Sequence, residues 1–229
     1  MADFNDIGIP RQLDWPRVRK LLTIGVFGAL LHLAGDLILG WGVEDESLTG
    51  LFRMLSAYTA TSDGGILASA LLGLFGMTLE GLSFFGVYRL MAERSPKDAH
   101  RYRSGILGYL IFGACGFHVP TCALVFLARQ GLPEETLVKF ALYFLLPATA
   151  LFWVFFLLLA VTQIAAFAKG YTPYPGWCWV FSPLVGGLAA QALGFLGNLP
   201  ALNAIACAWL AIGCLWMFGG LLCLCGKAR

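Results

Sequence analysis

Two histidines and two carboxylates stand where this sequence is otherwise built for hydrocarbon. His32 and Asp36 fall in the apolar run 21–41, Glu80 in the run 65–91 and His118 in the run 105–128. An ionisable side chain within such a run costs a few kcal/mol or more to insert, so it turns toward protein or water, and a functional role is the default reading. The spacing of four between His32 and Asp36 places both on one helix face. Two imidazoles and a carboxylate can ligate zinc while leaving a position open for water, which makes His32, His118 and Asp36 the expected metal ligands. Glu80 or Asp36 could then serve as general base, and Asp36 could alternatively fix an imidazole tautomer. Without a metal, the same groups suffice for acid/base chemistry in a dry pocket. Haem held between His32 and His118 is a weaker fit to two lone histidines. Ser83, Gln191 and Asn198 are the candidate groups for positioning a ligand.

The elements that must carry these residues follow from the apolar pattern. Apolar residues make up 59% of the 229-residue chain and charged ones only 12%, more apolar surface than one soluble core could hide. A helix needs about 20 apolar residues to cross a bilayer. Six runs meet that length: 21–41, 65–91, 105–128, 140–168, 177–197 and 202–225. The fold expected is an all-α integral membrane bundle of six transmembrane helices forming a single domain over 1–229. Pro120, Pro147 and Pro183 are expected to kink the third, fourth and fifth helices. At about 1.5 Å rise per residue, His32, Glu80 and His118 share a depth of about 15–20 Å from the inner surface.

Small residues mark the inward faces. Gly25, Gly28, His32, Gly35 and Asp36 form one stripe, and Ser69, Gly73, Gly76, Glu80 and Ser83 form another. Such stripes let membrane helices approach closely, and here they carry the ionisable groups. Cys115, His118 and Cys122 share a face of the third helix.

Cations set the expected orientation. Arg11, Arg17, Arg19, Lys20, Arg89, Arg94, Lys97, Arg101, Arg103, Lys169, Lys227 and Arg229 fall on one side, against Arg53, Arg129 and Lys139 on the other. That is an N-in, C-in protein of the cell membrane with both termini cytoplasmic. Trp15, Trp41, Tyr102, Tyr109, Tyr171, Tyr174, Trp177 and Trp179 lie near expected helix ends, where amphipathic rings favour the interface. In the first outer loop, Leu48, Leu51, Phe52 and Leu55 are spaced as in a short interfacial helix.

A net charge of +2 with no basic stripe argues against a nucleic-acid partner. Seven cysteines without a Cys-x-x-Cys pair signal neither a redox motif nor a thiolate zinc site. The first apolar run reads as an uncleaved span, because it is too long for a signal peptide and contains His32 and Asp36. The partners expected are membrane lipids and a small or lipid-like ligand, and the small size favours a homo-oligomer. The residues point to a buried His/carboxylate site that binds such a ligand and could transform it, as a lipid-directed hydrolase or isomerase. The alternative is a proton-coupled transporter or channel, for which no inverted repeat is found. A non-catalytic membrane subunit ranks third.

Overall fold

The computed structural model describes residues 13–226 and 228, and within them every regular element is helical. Arg11, Lys227 and Arg229, part of the cationic bias, lie outside the described residues. Helix α1 runs Trp15–Gly40, opened by Pro16 in its first turn and by Asp14, whose carboxylate accepts from Arg17 N at 3.0 Å. Helix α2 covers Gly50–Thr59 in the loop where the spacing predicts a helix. Helix α3, Asp63–Ala92, is capped by Ser62, which accepts from Gly65 N at 3.1 Å.

The third stretch is α4 (Pro96–Phe112), a π-turn over Ala114–His118 and α5 (Val119–Arg129). The fourth repeats the plan, with α6 (Glu134–Phe140), a π-turn over Ala141–Leu145 and α7 (Leu146–Ala168). Each π-turn ends just ahead of a proline, Pro120 or Pro147. A proline lacks the N–H of its turn and its ring crowds the carbonyl four residues back. Widening that turn by one residue relieves the clash without a sharp break.

Four helical stretches are long and apolar enough to cross a membrane: Trp15–Gly40, Asp63–Ala92, Pro96–Arg129 and Glu134–Ala168. The last two expected spans differ. The run 177–197 is not one helix but a 3-10 turn over Gly176–Val180 followed by α8, Pro183–Gly194. The cause is local: Pro183 starts a new helix, with Ser182 Oγ accepting from Leu184 N at 3.3 Å. The 12 residues of α8 make about 18 Å, short of a full crossing. The run 202–225 divides into α9 (Pro200–Cys207) and α10 (Trp209–Leu224), bent by 65°. Counted as one span, this pair brings the total to five. The bend holds the two limbs on different neighbours. A Cβ at Gly40 would lie 2.6 Å from Cys207 Cβ, and Trp209 stacks on Trp153 with ring centroids 5.1 Å apart.

Leu13, Trp15 and Ala228 line one cavity with Arg89 and Arg94, so the first and last described residues meet at one end of the bundle, here the terminal end. At the far end, Asn198 accepts from Glu44 N and donates to Glu44 O, each at 3.0 Å, and Asn203 donates to Gly42 O at 2.9 Å. Arg129 ties α2 down by donating to Thr59 O at 2.9 Å.

Three tyrosines expected at the interface are buried instead. Tyr102 donates to Gln163 Oε1 at 3.1 Å and Tyr174 to Leu221 O at 2.9 Å, so each hydroxyl has an internal partner. Tyr109 packs between Phe84 and Phe152. Together with Phe156 and Phe218, these rings fill the terminal half of the bundle.

Candidate metal centre

The site rests on the contact between α1 and α3, the most extensive in the fold. A Cβ at Gly76 would sit 2.6 Å from His32 N and 2.7 Å from Gly28 O, and one at Gly35 would sit 3.0 Å from Ser69 O. Glycine at these positions brings the two backbones together, and His32 and Asp36 on α1 thereby face Glu80 and Ser69 on α3. A Cβ at Gly73 would fall on the ring of His118 itself. The imidazole fills the space that this glycine leaves, delivered there by the π-turn ahead of Pro120.

The structure brings His32, Asp36, Glu80 and His118 together, each at most 5% exposed. His32 Nδ1 is 3.2 Å from Glu80 Oε1, and Glu80 Oε2 accepts a hydrogen bond from the Tyr109 hydroxyl. His118 Nε2 is 3.0 Å from the carbonyl oxygen of Ser69. Both of those partners are acceptors, so a neutral His32 would carry its proton on Nδ1 and a neutral His118 on Nε2. In neutral imidazoles the other nitrogens, His32 Nε2 and His118 Nδ1, then present lone pairs. Both face Asp36, at 3.3 Å from Oδ2 and 3.5 Å from Oδ1 respectively, without hydrogen-bond geometry. The rings meet edge to face, with centroids 5.4 Å apart.

Three acceptors converging on one point repel one another unless a cation or proton lies between them. Their ligand atoms fall within 4.8 Å of one another. Donors bound about 2.0–2.1 Å from a tetrahedral zinc lie about 3.3–3.4 Å apart; each imidazole lies near that distance from one Asp36 oxygen, His32 from Oδ2 at 3.3 Å and His118 from Oδ1 at 3.5 Å. The outward ring nitrogens carry the partners that ligating histidines usually have, a carboxylate and a backbone carbonyl.

A family model described as a family of unknown function, DUF6796, matches residues 4–228. The chain belongs to DUF6796. No curated protein and no solved structure matches it.

The remaining sequence candidates in this DUF6796 chain sit apart from the cluster's hydrogen bonds. Ser83 is buried one turn from Glu80, and its hydroxyl has no partner among the described residues. Gln191 donates to Ala206 O at 2.8 Å, joining α8 to α9, and Asn198 is engaged with Glu44. Both amides are engaged with backbone carbonyls at helix ends and in loops. Glu80, expected as a base, has both oxygens occupied by His32 and Tyr109.

Tyr109 and Ser69 are the functional neighbours that sequence reasoning missed. Ser69 already stood on the Glu80 stripe, but it contributes through its backbone carbonyl, which residue type does not reveal. Cys122 completes the setting, its thiol 3.8 Å from His118 Nε2 and 3.7 Å from Ser69 Oγ.

Proposed function

We propose that this DUF6796 protein is a multi-pass membrane protein whose His32, Asp36 and His118 hold one zinc-type divalent ion and act on a lipid-like or small ligand. The observation that carries this reading is the pair of imidazole nitrogens that face Asp36, each ring fixed from behind by Glu80 or by Ser69 O. A metal at such a site supplies Lewis acidity and an acidified bound water, which suits hydrolytic or acid/base chemistry. Glu80 holds the His32 tautomer and Tyr109 holds Glu80. The dry surroundings strengthen every one of these contacts. Both ends of the chain belong on the cytoplasmic side in this reading, because Arg17, Arg19, Lys20, Arg89, Arg94, Lys97, Arg101, Arg103 and Lys169 gather toward the terminal end.

The series of close contacts Tyr109, Glu80, His32, Asp36, His118 also has the form of a proton relay, as a transporter would need. On the terminal side it stops at Tyr109, against Phe84, Phe152 and Cys214. A relay closed at one end favours a binding or catalytic centre over a through-path.

Elemental analysis of the purified full-length protein tests the proposal. One zinc per chain is expected, lost in His32→Ala, His118→Ala and Asp36→Ala. Glu80→Gln should keep the metal but weaken its affinity about 10–100-fold. A wild-type protein that takes up no divalent metal under zinc loading refutes the metal reading.

A further inference from the structure

Beside the cluster, α3 and α5 leave a slot of about 480 Å³. Its walls include Ile66, Leu67, Ala70, Cys122 and Phe126, with Asp63 at one end and Val119 at the other. Leu67 and Phe126 are exposed on the outside of the bundle, so the slot opens toward the surface that hydrocarbon would cover. From Asp63 to Ala70 the α3 axis advances about 10 Å, from the far end of the bundle to the level of Ser69 and the cluster. The Cys122 thiol lies 3.8 Å from His118 Nε2, so one wall of the slot is shared with the cluster.

A second cavity, of about 610 Å³, adjoins the slot at Asp63, between α2 and the ends of α3 and α5. Ser56, Thr59, Arg129 and Gln130 form the polar part of its lining, beside Leu48, Phe52 and Leu55. Within it Arg129 Nε and Asp63 Oδ1 pair at 2.7 Å, with side chains 36% and 57% exposed. The two cavities together suit an amphiphile, a chamber with charged and polar groups at the far end adjoining an apolar slot at Asp63. The chamber offers one cation and one anion side by side. A headgroup carrying phosphate and ammonium can pair with both, whereas a purely anionic headgroup would face the Asp63 carboxylate unpaired.

We propose that this chamber and slot bind a zwitterionic phospholipid, its phosphate on Arg129, its ammonium on Asp63 and one acyl chain in the slot between α3 and α5. This names the class of the lipid-like ligand and rests on the proposed function for its link to the metal centre.

The test uses the full-length protein in phosphatidylcholine nanodiscs containing a trace of phosphatidylcholine with a diazirine midway along one acyl chain. After irradiation and digestion, adducts should concentrate at residues 66–70 and 119–126 rather than on the exposed face of α7 at Val154 and Val161. Ala123→Trp and Ala70→Trp fill the slot from half-buried positions, and each should lower these adducts about tenfold while zinc per chain stays unchanged. A phosphatidylglycerol probe with the same diazirine should label the slot about tenfold less. Adducts spread evenly over the exposed helices, or insensitive to both tryptophans, overturn the lipid site. Equal labelling by the phosphatidylglycerol probe overturns the headgroup assignment. Slot-directed adducts in a protein that binds no zinc uphold the lipid site and overturn the metal reading instead.

Discussion

Gly73→Ala is the sharpest perturbation that the structure offers. The added methyl would occupy the position of the His118 ring, whose Nε2, Cδ2 and Cε1 are its three nearest neighbours. The ring has little room to withdraw. Its Nε2 is held to Ser69 O at 3.0 Å, Cys122 stands 3.8 Å behind, and the His32 ring packs edge-on with a centroid distance of 5.4 Å. Overfilling a packed site of this kind costs about 1–3 kcal/mol. Metal sites tolerate displacements of only about 0.2 Å in ligand distance, so affinity should suffer more than stability. Loss of a supporting contact alone costs about 10–100-fold in affinity, and displacing a ligand should exceed that range.

The assay pairs zinc competition with a chelator and a thermal melt in detergent. Gly64→Ala, on the same helix with nothing within 4 Å of the new methyl, is the control and should leave zinc binding intact. His118→Ala added to Gly73→Ala should recover the stability lost to crowding without recovering zinc, the non-additivity expected of touching residues. Full zinc affinity and an unchanged melt in Gly73→Ala would refute the placement of His118 and the centre built on it.

Other expectations are as direct. Tyr109→Phe strips Glu80 Oε2 of its donor inside an aromatic core and should lower stability by about 1–3 kcal/mol in denaturant titration, with weaker zinc binding. Pro120→Ala removes the cause of the widened turn, so the turn should close to an α-helix, rotate His118 off the cluster and abolish zinc uptake, read by elemental analysis. In the far-end loop, hydrogen bonds from the Ser47 hydroxyl and Ser47 N hold the Asp45 carboxyl below its usual 3.8. A depressed folded value gives stability that is present above the unfolded pKa and lost as pH falls through the folded one. Ser47→Ala should therefore raise the Asp45 midpoint in a carbon-13 NMR titration of the loop.

The parts of this fold that could be read in advance share one physical cause. Where helices meet without water, small residues and ionisable groups concentrate on the packed face, so the stripes through Gly28 and Gly76 disclosed the α1–α3 contact and the residues it carries. The spacing of His32 and Asp36 fixed their common face. What stayed hidden depended on context that residue type does not encode. An aromatic near the end of an apolar run reads alike whether it lies in the headgroup layer or in the core, so Tyr109 passed for an interface residue. Run length likewise conceals breaks. The stretch 177–197 is apolar throughout, yet Ser182 and Pro183 start a helix within it and leave α8 short. Gln191 and Asn198 looked like ligand-positioning groups because a polar side chain in an apolar run suggests a ligand. Residue type does not show that backbone carbonyls of Ala206 and Glu44 accept from these same amides.

The glycine contact between α1 and α3 also bears on how the centre comes into being. Residues 15–92 contain His32, Asp36, Glu80 and the Ser69 carbonyl on two backbones that touch. A half-site with two donors and its supporting carboxylate is thus contained in the α1–α3 pair alone. His118 comes from the widened turn ahead of Pro120 and closes the half-site from the opposite wall. The helix pair is the template and the third donor the closing piece.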